Sequence, residues 1–363
     1  MDRWGRWTSD GNYLVYRPKV GSPDPNYEIE VSELVHAGVA TWLEHLESKS
    51  WISLEDLDDL ARACTELMDR NLAGEGAIIC APEVLSSEEY HRVLSTEWKN
   101  LLEHGDPTDE SVFQQFLEQH PILLPGPHGT PHGMYHGPLF DSVFSQPELP
   151  GFRAKRPDFL LFEQDSARIY AVLIEIEAPA KRWATRSGAP HSDLTRALDQ
   201  LREWKSWFSE PHNVLAFRDL YKVDPESLDS RTLVQHFVLI HGRRAEATAS
   251  KSFAKKRSTF ATADEYLMTY DRLLPNGSAQ FTVKLDRSGP DTRLRLLSIP
   301  PTFSLHRSNA ERFLSFIGQE DAIRTQPLLT TERREFLLKR LKSAERFVHA
   351  RRKNLDEIPW WEW

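Results

Sequence analysis

The sequence predicts an α/β fold: a mixed central sheet flanked by helices, preceded by an N-terminal β-hairpin and a helical domain. Three observations carry this. Two short apolar runs, Phe159–Phe162 and Tyr170–Ile174, lie either side of a polar connection and read as a buried hairpin. An amphipathic helical pattern, His191–Trp207, follows them, and then a third buried run, Phe237–Ile240. Strands alternating with helices in this way favour a layered sheet over a bundle.

In chain order, Tyr13–Tyr16 and Tyr27–Val31 flank a Gly/Pro/Asp turn and predict the first hairpin, with Trp4 and Trp7 packed on it. Helices are expected from Ser32 to about Glu47, from Ser53 to about Met68, and from Ser86 or Ser87 to Leu102, each with a polar cap and an apolar face. Gly105–Thr108 breaks the pattern. Asp109–Gln119 is a short amphipathic helix stopped by Pro121. Residues 125–138 are rich in Gly and Pro and read as an ordered loop near the active site. Their three histidines, His128, His132 and His136, have no aligned helix or nearby Cys to make a zinc site. Past Phe237–Ile240, Asp264 is expected to cap a helix running to Tyr270. Gln280–Leu285 and Arg293–Ile299 suggest a late antiparallel pair, and 331–353 is a basic helix with 9 Lys+Arg against 3 Asp+Glu. The aromatic tail, Trp360 to Trp363, is expected to dock on a partner subunit or the core. We expect domains at 1–105, 106–300 and 301–363.

Composition sets bounds. A chain of 363 residues exceeds one ordinary core. No apolar run approaches a membrane span, no signal-peptide pattern opens the chain, and two cysteines, Cys64 and Cys80, build no disulfide framework. A cytoplasmic protein with no membrane partner is expected. The net charge of −9 is uneven: residues 1–120 carry −15 and the remainder +6. The basic portion is where a phosphate backbone would be attracted.

Carboxylates stand where the apolar pattern of the central hairpin should continue. Asp158 opens the first strand, and Glu175 and Glu177 end the second, sharing a face with Ile176 opposite. Acids converging at a strand end are costly to bury unless a cation neutralises them, and oxygen donors suit Mg²⁺. Lys181 lies four residues past Glu177, within reach to fold back on it. A salt bridge between the two is the plainer reading. Arg243 at a strand end, with Lys255 and Lys256 in the following helix, fits phosphate contact.

Pro157-Asp158, sixteen residues, then Glu175-Ile176-Glu177 is the acidic half of a PD-(D/E)xK nuclease site, with Glu177 in the place of the usual Lys. With Lys181 completing an EIE-x-P-x-x-K string, and with VFQQFLEQHPILL (112–124), ALDQLREW (197–204), VLIHGR (238–243) and YLMTYDRLL (266–274), residues 108–275 resemble the nuclease domain of Shedu-type antiphage defence proteins. The resemblance implies a restriction-endonuclease-like core and a Mg²⁺-dependent DNA endonuclease, with Mn²⁺ as a possible substitute. It implies metal ligation by Asp158 and Glu175, with Glu118 of the preceding helix as a candidate and Glu110 as a second. Lys181 would assist, and Gln200, one turn from Trp204, would touch a phosphate or the attacking water. Glu177 stands for a relocated lysine, a third ligand or a silent site. A phage protein or phage DNA as trigger and a homo-oligomer are further expectations. The alternatives are a catalytically silent nucleic-acid binder and a scaffold that senses a phage protein.

Overall fold

A computed structural model describes residues 5–7, 13–18, 25–31, 79–80, 82, 84–126, 138–152, 156–223, 231–249, 251–256, 259–275, 279–288, 292–305 and 307–351. The expected helices at 32–47 and 53–68, the three loop histidines, Cys64 and the Trp-rich tail lie outside the described residues. The chain forms two compact units. One comprises Met1–Ser87 with Leu329–Leu337, the other Glu88–Leu328 with Leu338–Trp363.

In the first unit, β1 (Gly5–Trp7), β2 (Tyr13–Pro18), β3 (Pro25–Val31) and β4 (Ile79–Cys80) form an antiparallel sheet in that order. The expected hairpin is its centre, with Tyr13 paired to Val31.

The second unit is built on a seven-stranded mixed sheet. Its strands are β5 (Pro138–Ser145), β6 (Phe159–Gln164), β7 (Arg168–Glu177), β8 (Thr232–His241), β9 (Glu265–Met268), β10 (Phe281–Asp286) and β11 (Arg293–Ser298), in the order β11-β10-β5-β6-β7-β8-β9. β5, β6 and β7 run antiparallel in turn, whereas β8 and β9 continue from β7 in parallel. Nine of the ten residues of β7 are buried, as a central strand covered on both faces requires. The β6–β7 hairpin turns tightly because Asp165 Oδ1 accepts the N–H groups of Ala167 and Arg168, both at 2.7 Å. That turn carries the pairing out to Gln164 and Ile169, beyond the apolar runs. The late pair also forms, and β10 joins it to β5 in parallel.

Helices cover the sheet. α1 (Ser87–His104) and α2 (Glu110–Gln119) bury Tyr90, Leu94, Trp98, Phe113 and Leu117 in one cluster with Phe159, Leu161, Val172, Ile174, Ile176, Val238 and Ile240. Those strand residues are alternate positions, so they form one face. α2 is capped by Asp109, whose carboxylate accepts from Ser111 N at 3.0 Å. α3 (Ser192–Phe208) starts at His191 and buries Leu194, Ala197, Leu198, Leu201, Trp204 and Trp207, the face its spacing predicts. α4 (Pro211–Tyr221) follows, then the short α5 (Arg244–Ala249) and α6 (Lys251–Lys256). α7 (Arg307–Ser315), α8 (Gln319–Thr325) and the long basic α9 (Thr331–Arg351) end the described chain.

One expectation is overturned. The segment after Asp264 is a strand, β9, and not a helix, and Tyr270–Arg272 is a 3₁₀ turn. Glu265–Met268 pairs in parallel with Phe237–Ile240, so a full ladder of backbone hydrogen bonds outweighs the local helical preference. β5 and α4 have no counterpart in the sequence reading. Among the described residues no helix is long and apolar enough to cross a membrane.

Candidate active site

The parallel strands β7 and β8 end together, with Glu177 opposite His241. The acids gather at this end. Asp158 precedes β6, and its backbone and side chain grip the neighbouring strand on either side of Glu175. Its N–H donates to Ile174 O at 3.0 Å, and its Oδ2 accepts from Ile176 N at 2.8 Å. Asp158 and Glu175 are thereby neighbours. Asp158 is 6 % exposed and Glu175 is fully buried, as is most of Glu177. Two carboxylates this deep repel each other and pay desolvation unless something compensates.

Lys181 folds back as its spacing suggests. Its ammonium is in direct contact with the Glu177 carboxylate and lies 3.6 Å from Glu110. Glu110, in the first turn of α2, also accepts from Ala178 N at 3.1 Å. Glu118 turns elsewhere: its carboxylate takes hydrogen bonds from Ser145 on β5 and Gln114 on its own helix. The helix acid beside Lys181 is therefore Glu110. The two acids are eight residues apart, at opposite ends of α2.

Gln200 sits on the half-buried edge of α3, and its side-chain nitrogen is enclosed with no hydrogen-bond partner among the described residues. Arg243 is anchored inside the fold. It donates to Asp271 Oδ1 at 2.8 and 3.0 Å, and its third nitrogen donates to Leu102 O. Lys255 and Lys256, at the end of α6, are exposed.

Two neighbours escaped the sequence reading. His241 is fully buried at the end of β8, with Nε2–H donating to Arg182 O at 3.0 Å and the ring edge-on to Trp183 at 5.1 Å. Burial above all pushes its pKa down to about 4. The bond to Arg182 opposes this and the Lys181 charge reinforces it, so the imidazole is neutral at pH 7. Tyr270 follows β9, fully buried against Trp98 and Phe113. Burial, and then the charges of Glu110, Asp158 and Glu175, hold its phenol well above the ordinary value. His241 was visible in the sequence only as a strand end, and Tyr270 only as part of the YDRLL string.

The donor chemistry suits a hard divalent cation, since Mg²⁺ is commonly held by one or two protein carboxylates with phosphate and water completing its shell. Among the described residues no group of three His, Cys, Asp or Glu side chains converges on one point. The protein donors at hand are the pair Asp158 and Glu175, with Glu177 held by Lys181.

Comparison with known proteins gives one family. Residues 107–274 match the family model described as Shedu protein SduA, C-terminal. No curated protein matches. Among solved structures, restriction endonuclease FokI bound to DNA is similar at 14 % identity and a TM-score of 0.23, over 66 % of this chain and 43 % of that one. This chain thus spans less than half the length of that structure, and likeness at that score bears on neither fold nor chemistry. The matched segment runs from just before α2 to just past Tyr270 and contains every acid of the site. Over residues 107–274 the chain is similar to the Shedu SduA C-terminal family.

Proposed function

We propose that this protein is a divalent-metal-dependent DNA endonuclease acting in antiphage defence, its catalytic domain spanning about 106–300. The observation that carries the reading is the gripping of β7 by Asp158 on both sides of the buried Glu175, with Lys181 folded back on Glu177. The family match supports the nuclease and defence assignments.

Asp158 and Glu175 would hold Mg²⁺, or Mn²⁺ in its place, with Glu177 adjoining. Such a cation, when bound, acidifies a water and offsets negative charge on a phosphate. Lys181 carries the positive charge that the ordinary motif lysine would bring. It is poised between Glu177 and Glu110 to stabilise charge developing on a phosphate oxygen. Gln200 would add a neutral donor, its side-chain nitrogen being buried with no partner among the described residues. Lys255 and Lys256 offer exposed charge to the DNA backbone, while Arg243 braces the wall behind the site through Asp271.

A second reading is favoured by one observation: the Glu177 carboxylate is in direct contact with the Lys181 ammonium and neutralises the charge that catalysis would need. On that reading the domain binds DNA without cutting it.

The test compares wild type, Glu175→Ala, Asp158→Ala and Lys181→Met for cleavage of plasmid and linear DNA with Mg²⁺ or Mn²⁺, alongside DNA binding. Metal-dependent cleavage by wild type, lost in all three variants while binding persists, supports the nuclease. Binding without cleavage by any protein, with either metal and in the presence of phage lysate as trigger, supports the silent binder. Phage plating on cells carrying wild type or Glu175→Ala tests the defence role.

A further inference from the structure

Packing alone does not account for Tyr270. Its ring is enclosed, stacked 5.9 Å from Trp98 and edge-on 5.3 Å from Phe113. Its N–H donates to Gly242 O at 3.2 Å, and its carbonyl accepts Trp98 Nε1–H at 3.3 Å. The backbone polar groups are thus satisfied. The hydroxyl is not: it is buried with no hydrogen-bond partner among the described residues. An enclosed, unpaired hydroxyl costs about 1–3 kcal/mol, which a phenylalanine at this position would avoid.

The setting says what the hydroxyl is for. Tyr270 follows β9, next to the shared end of β7 and β8, and packs in the same cluster as Ile174 and Ile176, the residues that Asp158 grips. The charged groups whose fields reach it are Glu110 on α2, Asp158 before β6 and Glu175 on β7, from three separate elements. Carboxylates only accept hydrogen bonds, and a phenol in their company keeps its proton, so the useful direction is donation from Tyr270 to the acids.

We infer that Tyr270 is a positioning residue of the acid site, its O–H donating through one water into the Glu110–Asp158–Glu175 group and fixing the carboxylates that hold the cation. This rests on the reading of Asp158 and Glu175 as a metal site. Tyr270 is enclosed in the core, away from solvent. It acts through the acids, as outer hydrogen-bond partners of metal ligands do.

The experiment uses the full chain as wild type, Tyr270→Phe, Glu175→Ala and Phe113→Leu. Each is measured by Mn²⁺ titration calorimetry, by DNA cleavage and by thermal unfolding. Tyr270→Phe loses only the unpaired hydroxyl, so it is expected to unfold at or above the wild-type temperature. Its Mn²⁺ dissociation constant rises about tenfold, the lower end of outer-partner losses, and kcat falls with KM for DNA unchanged. Phe113→Leu disturbs the same aromatic cluster and is expected to lower stability while leaving Mn²⁺ affinity within about twofold. If Glu175→Ala abolishes Mn²⁺ binding and Tyr270→Phe binds as wild type does, the inference falls and the metal reading stands. If Phe113→Leu weakens Mn²⁺ as much as Tyr270→Phe, the effect is packing and the inference falls. If wild type and Glu175→Ala titrate alike, the metal reading falls and takes the inference with it.

Discussion

Gly242→Ala places a methyl group where the structure has no room for one. Gly242 follows β8 with φ of +56°, and a Cβ there would lie 2.6 Å from the Lys181 carbonyl oxygen and 2.8 Å from Trp183 Nε1. Trp183 is fully buried and cannot swing aside. Two costs therefore add. The left-handed backbone costs an alanine about 1–2 kcal/mol. Forcing the Lys181–Trp183 segment outward costs about 1–3 kcal/mol more, as over-packing does elsewhere. The expected loss is roughly 2–5 kcal/mol by these two principles, with a fall in any cleavage because the displaced segment carries Lys181. Gly151→Ala separates the terms: its φ is +76°, yet nothing lies within 4 Å of the added carbon. It should lose only the backbone part. Guanidinium unfolding of both variants measures the difference. Equal losses would show that the close approach of Gly242 to Lys181 and Trp183 is not a constraint, and the reasoning that ties β8 to the lysine would be wrong.

Three further outcomes follow from the same geometry. His120 and His241 are both buried with pKa pushed down to about 4, chiefly by burial. An unfolded histidine takes up its proton near 6.5, so the unfolded chain binds more protons between these values. Stability should be full above about pH 6.5 and decline as pH falls toward 4, by up to roughly 3 kcal/mol per imidazole. A denaturation midpoint indifferent to pH between 7 and 5 would contradict this. Trp98→Ala empties the contact among α1, Phe113 and Tyr270 and should cost about 3–5 kcal/mol in chemical unfolding; a loss below 1 kcal/mol would mean α1 is not part of this core. Asp271→Ala leaves Arg243 and the Arg244 N–H without their carboxylate and should cost about 1–3 kcal/mol, with DNA affinity changing less than for Lys255→Ala with Lys256→Ala. Calorimetric unfolding and DNA titration check both halves of that statement.

The central hairpin was legible because its runs are short, apolar and bounded by polar residues, and its acids stood out against that pattern. Its full length was not, since Glu163 and Gln164 are polar yet pair with Tyr170 and Ile169. β5 was hidden because Asp141, at φ +48°, interrupts Pro138–Ser145 and the register to β6 shifts between Leu139 and Val143. Glu265–Met268 misled the reading because nothing local records that β8 offers a free edge beside it. The choice between Glu110 and Glu118 depends on which end of α2 meets the strand ends, and both residues suit a helix equally. The unpaired hydroxyl of Tyr270 is a property of the assembled core, so no spacing in the chain announces it.

The bond from Trp98 Nε1 to Tyr270 O joins residues 172 apart, and it sets a timetable. At about 5–20 residues per second, synthesis from one to the other takes about 10–30 s. Within that interval the β6–β7 hairpin, whose pairing is local, is complete in sequence by Glu177 and free to form well before the Trp98–Tyr270 contact. Closing so long a loop is entropically slow compared with local pairing. A nascent chain shorter than 270 residues therefore presents the acids of the site without the wall that encloses them. Whatever chemistry the domain performs is withheld until Tyr270 has been made, and α1 waits for its distant partner in the meantime.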